Sequence, residues 1–284
     1  MPAGFTAFDV NGDIKTSAVV NLSTGVTGVL PIANGGTNAS APGSAQANIN
    51  SQISITTTGN IDDLDFGNAS LIRMNNSGLS TIRGLLAGTN GQRVTIISVG
   101  GGQVDLAHEN TGSLASNRLH NFATSANTSL AAGCGVATYQ YDGTALQARW
   151  KLIEHFQGDF IDVAYSAGNF TAGGSMTWTV DAGDQITYAY YLSGRILTVV
   201  TYLDTTSIGG TPALQLFIAI PVGFTASRKF QNVSTLFDNG VFALAYVRVS
   251  VSGTTIEIGR GDTTNLTAST NNTYIRVLIA FSVN

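Results

Sequence analysis

The sequence predicts an all-β fold, in which short strands are followed by a C-terminal antiparallel β-sandwich of the jelly-roll kind. Three observations carry that expectation. Apolar residues recur at every second position through much of residues 158–284, the period of a strand with one buried face. Gly, Asn, Asp and Ser pairs punctuate the runs at turn-like intervals. No stretch of that half shows the 3.6-residue spacing of an amphipathic helix.

From the N-terminus, Met1 to Ser23 contains short apolar pieces and an Asn11-Gly12 turn signal, too little for a core of its own. Next comes Gly25 to Thr37, whose centre reads Leu30-Pro31-Ile32-Ala33-Asn34-Gly35-Gly36-Thr37. Pro31 restricts its own φ and pushes Leu30 toward an extended shape, and Asn34-Gly35-Gly36 allows a sharp change of direction. This string resembles the Leu-Pro-(Val/Ile)-Ala-Asn-Gly-Gly-Thr signature of bacteriophage tail-fibre and receptor-binding appendage proteins. The resemblance implies a virion protein, a homotrimer whose N-terminal segment, here residues 1–37, attaches to tail, baseplate or neck proteins. Ser40 as a cap and Pro42 in a first turn suggest a short helix near 41–50.

Residues 38–157 read as short strands and turns. Val94, Ile96 and Ser98 alternate with Thr95 and Ile97, and Gly100-Gly101-Gly102 leads into Val104-Asp105-Leu106, which predicts a hairpin. No strict internal repeat is visible. Gly84-Leu85-Leu86-Ala87-Gly88, Asn117-Arg118 and Tyr141-Asp142 with Arg149-Trp150 also resemble phage fibre sequence, implying a trimeric shaft or β-domain around a threefold axis. Trp150 is expected as a core or inter-subunit anchor rather than a ligand platform. A boundary is expected at Gln157-Gly158.

In residues 158–284, Met176, Trp178 and Val180 share one face, as do Ile186, Tyr188, Tyr190 and Leu192, then Leu214, Leu216, Ile218 and Ile220 up to the strand-ending Pro221. Val247, Val249 and Val251 lead through Ser252-Gly253 to Ile256 and Ile258. Ile275, Val277, Ile279, Phe281 and Val283 form the last apolar face, whose register a one-residue slip would invert.

Composition narrows the function. The chain is 43% hydrophobic but 11% charged, against roughly a quarter charged in ordinary soluble domains. Few charges then oppose association with copies of itself. A formal charge of -4 without a Lys/Arg run gives no footprint for nucleic acid. No apolar run is long enough for a transmembrane helix, and the N-terminus lacks the layout of a cleaved signal. Cys134 is the single cysteine, expected as a small buried residue.

No catalytic, metal or cofactor site is expected. Asp62, Asp63 and Asp65 are the one dense acidic cluster, read as turn carboxylates rather than the spaced pair that glycoside cleavage requires. His108 and Glu109 are adjacent and so face opposite ways on a strand, while His120 and His155 stand alone. Binding material lies in the last domain. Trp178, Tyr188 and Tyr190 fall on apolar faces; Tyr191, Tyr202, Tyr246 and Tyr274 fall on the opposite ones. With Asn232, Asp238 and Asn239 they are the candidate receptor contacts, since tyrosine with nearby amides and carboxylates suits sugars. The expected function is adsorption to a host surface glycan or protein. A head, collar or baseplate fibre is the alternative, and a glycan depolymerase a third.

Overall fold

Short apolar runs separated by glycine-rich corners build the first half of the molecule as parallel coils. The computed structural model describes residues 51–144 and 148–284. The Leu30 to Thr37 signature, the attachment segment 1–37 and the helix expected near 41–50 lie outside the described residues. Three strands, β1 (Gln52–Ile55), β3 (Leu71–Met74) and β5 (Arg93–Ser98), stack in parallel. Between them run β2 (Gly59–Ile61), β4 (Ser80–Ile82) and β6 (Val104–Leu106), which stack in parallel in a second sheet. The chain thus winds from one sheet to the other and back. The stack is closed by β8 (Thr128–Leu130), antiparallel to β6, and by β9 (Val136–Asp142), antiparallel to β5. β10 (Arg149–Phe156) then pairs with β9 and with β7 (Leu119–His120).

The hairpin expected across Gly100 to Gly102 is therefore corrected. β5 and β6 lie in different sheets, and the glycines form a coil corner stacked on the corner below. Gly102 N–H donates to Asn76 O, and the Asn76 side chain donates to Gly78 O and Gln103 O. A Cβ on Gly102 would lie 2.1 Å from Gly78 O, and one on Gly100 2.3 Å from Asn76 O. Close approach of two backbones sets the residue type here. The period-two pattern itself holds, with Val94, Ile96 and Ser98 buried with Ile72, Met74, Ile82 and Leu106. Trp150 is fully buried against Phe66 and Tyr141, and its indole N–H is shared between Leu85 O and Leu86 O.

Residues 52–284 form one compact unit with two hydrophobic cores, and the chain passes between the cores at Gln157. Gln157 is wholly buried. Its amide donates to Asp159 O and Tyr190 O and accepts from Leu192 N–H, satisfying a polar side chain that burial would otherwise penalise. The adjoining turn places Cys134 at the surface, with its thiol directed at Ala132 O, so the expectation of a buried cysteine is corrected.

The second half is a single ten-stranded sheet of antiparallel neighbours, curled around its core. Its strands are β11 (Ile161–Asp162), β12 (Phe170–Ala172), β13 (Met176–Thr179), β14 (Gln185–Ser193), β15 (Ile196–Gly210), β16 (Leu216–Ala219), β17 (Phe230–Asp238), β18 (Val241–Val249), β19 (Thr255–Arg260) and β20 (Ser269–Ser282). They run in the order β11-β14-β15-β20-β17-β18-β19-β16-β12, with β13 on β15. A long β15 makes this possible. Residues Ile196 to Leu203 pair with β14, and Ser207 to Gly210 with β13. Register shifts lie between, and Thr205 has a φ of 54°, the local bend that bulges introduce. Thr206 fixes the bend by accepting from Trp178 Nε1 and donating to Thr273 O.

The alternation read in β20 is met in full, with Ile275, Val277, Ile279, Phe281 and Val283 each at most 4% exposed. Met176, Trp178, Val180, Leu216, Ile218 and Ile220 are likewise buried. Three assignments shift, and the first is Val251, which lies in the turn beyond the end of β18 and is exposed. Ile186 sits at a register shift between Gln185 and Thr187 and is exposed, and Leu214 precedes β16 and is also exposed.

Candidate functional site

Alternation that buries one face of each strand turns the other outward, and the strand registers set which outward residues meet. Tyr202 on β15 lies opposite Arg276 on β20, which lies opposite Thr235 on β17, which lies opposite Leu244 on β18. In the adjacent rows Tyr274 pairs with Phe237 and Phe237 with Phe242, and Val233 pairs with Tyr246 and Tyr246 with Gly259. The outer face of the curled sheet therefore collects Tyr202, Tyr246 and Tyr274 from strands distant in sequence. Tyr191 shares this face, opposite Thr198, about 13 Å along β15 from Tyr202 by strand rise. Its ring meets Phe160 at 5.8 Å.

Each tyrosine is held differently. The guanidinium of Arg276 lies 4.5 Å from the Tyr202 ring centroid and donates to the Tyr202 hydroxyl. Phe237 and Tyr274 meet edge-on at 5.9 Å. Tyr246 spreads over β19, where Gly259 leaves the room; a Cβ there would lie within 2.4 Å of the Tyr246 hydroxyl. That hydroxyl donates to Glu257, which also takes Arg248 and Gln215. Burial raises the Tyr246 hydroxyl above its usual pKa, and the Glu257 carboxylate beside it acts in the same direction.

The remaining candidates separate. Asp238 is buried and bonded within the fold. Arg260 Nη1 donates to Asp238 Oδ2 at 2.8 Å, and Thr267 supplies its N–H and hydroxyl at 2.9 Å each. Asn239 forms the turn between β17 and β18 with Gly240, at φ 48° and 74°, the two-residue Asn-Gly hairpin turn. Its amide oxygen accepts from Asn272. Asn232 lies opposite the buried Val247, on the face away from Tyr246, in the part of β17 that pairs with β18 alone. Its amide oxygen accepts from Val233 N–H.

Around these tyrosines runs an apolar strip. Val233 is 64% exposed, Phe242 56% and Leu244 59%, and they line an open depression of about 640 Å³. Its border holds Arg260 with Asp238 and Asp262, and the neighbouring Arg248 is paired with Glu257. A salt-bridged border of this kind presents little net charge.

The histidines in the first half gather where sequence reasoning separated them. His108 and His120 rings are 4.9 Å apart, His120 Nδ1 is 3.2 Å from Glu109, and Arg149 pairs with Glu109 at 2.7 Å. A φ of 45° at Glu109 breaks the strand geometry that adjacency implied. Burial and the neighbouring His120 lower the His108 pKa. For Glu109, burial works upward, but hydrogen bonds from Arg149 and His120 hold it below the usual carboxylate range. Asp63 and Asp65 accept backbone N–H groups from Leu114 and Gly67, and Asp62 pairs with Arg83 at 3.4 Å, the expected turn chemistry. Among the described residues no group of three or more His, Cys, Asp or Glu is arranged to hold a metal.

Arg276 and Phe237 were missed by sequence reasoning. The alternation of Ile275 and Val277 puts Arg276 outward, but its meeting with Tyr202 depends on the register of β15 with β20. A scan against protein-family models and a search of the curated proteins each find no match to this chain.

Proposed function

We propose that the chain is a bacteriophage virion structural protein, a homotrimeric tail fibre or receptor-binding appendage that adsorbs to the host surface through the outer face of its C-terminal sheet. The observation that carries this reading is that outer face. It joins aromatic platforms at Tyr191, Tyr202 and Tyr274 to an apolar strip at Val233, Phe242 and Leu244, the equipment of a surface that binds rather than reacts. The Leu30 to Thr37 signature supports the virion assignment. In this reading the strip is covered by a second copy of the chain, because identical copies present identical charges and a border of paired charges avoids like-charge repulsion. The parallel coils form the trimeric segment beneath, and the curled sheet serves as the jelly-roll-like head.

Gold labelling of intact virions with antibody to residues 159–284 tests the role. Label at the distal tail, with adsorption blocked by the same antibody, is the expected result. Label confined to capsid or neck would overturn the receptor-binding role, and absence of the chain from virions would overturn the whole reading.

A further inference from the structure

We infer that Arg276 and Tyr202 form a subsite for an anionic sugar, one carrying a carboxylate or phosphate group. The inference rests on the adsorption reading above and names the chemistry of its ligand. Three arginines lie around the Tyr202 and Tyr246 part of the outer face, and they are not alike. Arg248 is paired with Glu257, and Arg260 with Asp238 and Asp262. Arg276 has no carboxylate at ion-pair distance among the described residues, and its side-chain hydrogen bond there goes to the Tyr202 hydroxyl. The aromatic rings of Tyr202 at 4.5 Å and Phe237 at 5.9 Å hold the guanidinium instead. Aromatic neighbours orient a guanidinium by attraction to its charge while leaving most of its five N–H donors free. Such a group is ready for the paired hydrogen bonds that a carboxylate or phosphate accepts.

The surroundings select a sugar as the bearer of that anion. Arg276 lies in an open depression of about 490 Å³, lined also by Tyr202, Thr187, Thr235, Ser234 and Leu278, within the size range of small-molecule sites. Thr187 and Thr235 bring hydroxyls to the same hollow as the Tyr202 ring, and Leu278, 59% exposed, forms an apolar wall. A pyranose has this mixture, with apolar C–H faces and a girdle of hydroxyls. A free inorganic anion would use the arginine alone and leave the rest of the hollow unemployed.

The test is calorimetric titration of the full chain with a galacturonic acid trisaccharide and with glucose 6-phosphate, against galactose trisaccharide and glucose as neutral counterparts. Binding of either anionic probe about tenfold or more above its neutral counterpart is expected, and the responding probe identifies the anion. Arg276→Gln is expected to remove that preference. Arg276→Lys, which keeps the charge but not the fork, is expected to weaken it in part. Arg93→Gln, on β5 and bonded to Gln140, changes net charge equally and is expected to leave it intact. Thermal melting of each variant verifies folding. Equal binding of charged and neutral probes, absence of binding by both anionic probes, or a preference that survives in folded Arg276→Gln would overturn the subsite. Anionic preference in a chain absent from virions would uphold the subsite while removing the adsorption role.

Discussion

Replacing Asp238 by alanine separates a ligand-binding role from a structural one at a residue whose sequence context suggested the former. Its side chain is 0% exposed and makes three contacts, to Arg260 at 2.8 Å and to the Thr267 N–H and hydroxyl at 2.9 Å. Removing one partner of a buried ion pair costs about 3 to 5 kcal/mol, because the other charge stays behind without its counterion. Two features place this case at the lower end. Arg260 retains Asp262 at 2.8 Å and is 22% exposed, and Thr267 is exposed enough for water to replace its lost acceptor. A loss of about 3 kcal/mol is expected, or a fall of roughly 6 to 12 °C in melting temperature for a unit of this size. Asp238→Asn keeps the volume and one acceptor oxygen and should lose about half as much. Melting is followed by circular dichroism at fixed protein concentration, because the proposed self-association would make the midpoint concentration-dependent. A folded Asp238→Ala protein that melts within about 1 °C of the parent yet no longer adsorbs to cells would refute the structural assignment.

Further predictions concern the corner, the half-buried His155 and the apolar strip. Gly102→Ala forces a Cβ to within 2.1 Å of Gly78 O, whereas Gly101→Ala meets nothing within 4 Å. The first should cost about 2 to 3 kcal/mol and the second under about 0.5, and equal melting of the two variants would refute the stacked corner. Burial lowers the His155 pKa, only partly opposed by its hydrogen bond with Ser129 O, and Nδ1 has no partner. Below about pH 6.5 the unfolded chain takes up a proton that the folded chain resists, so stability falls as pH drops from there toward the depressed folded value. His155→Gln should reduce the loss in melting temperature between about pH 7.5 and 5.5; an unchanged loss would refute the assignment, since His108, shifted in the same direction, accounts for a separate share. Leu244→Glu adds a charge to the strip at a site already 59% exposed. In light scattering at micromolar concentration the parent is expected to run as the proposed trimer and Leu244→Glu as a folded monomer; a variant that stays trimeric, or a monomeric parent, would refute burial of that strip between copies.

How far the fold is legible depends on which interaction specifies each element. The inner residues of β20 could be read directly, because a period-two pattern needs no knowledge of the neighbouring strand; the same parity turned Tyr202, Tyr246 and Tyr274 outward. The parallel coils could not be read that way. A glycine corner between two alternating runs serves a hairpin and a coil equally well, and the coils differ in length, since Gln52 pairs with Leu71 but Leu71 with Thr95. No fixed repeat survives to distinguish the two. Asp238 and Ile186 show a second limit. Asp238 became structural through Arg260 and Thr267, both far along the chain, and Ile186 left the apolar face through a register shift against β15.

The outer face shows both limits at once. Which way Arg276 points is a local property, set by Ile275 and Val277 on either side of it. What it meets is not local, because Tyr202 and Phe237 arrive from β15 and β17. The difference between Arg276 and the paired Arg248 is smaller still in sequence terms: each is an arginine on a strand, two residues after a tyrosine. Glu257 reaches Arg248 because β18 and β19 form a hairpin that sets the two opposite one another. The corresponding lateral neighbours of Arg276 are Tyr202 and Thr235, neither of them an anion. Strand order, rather than residue type, therefore decides which cation is neutralised by the fold and which is left for a ligand.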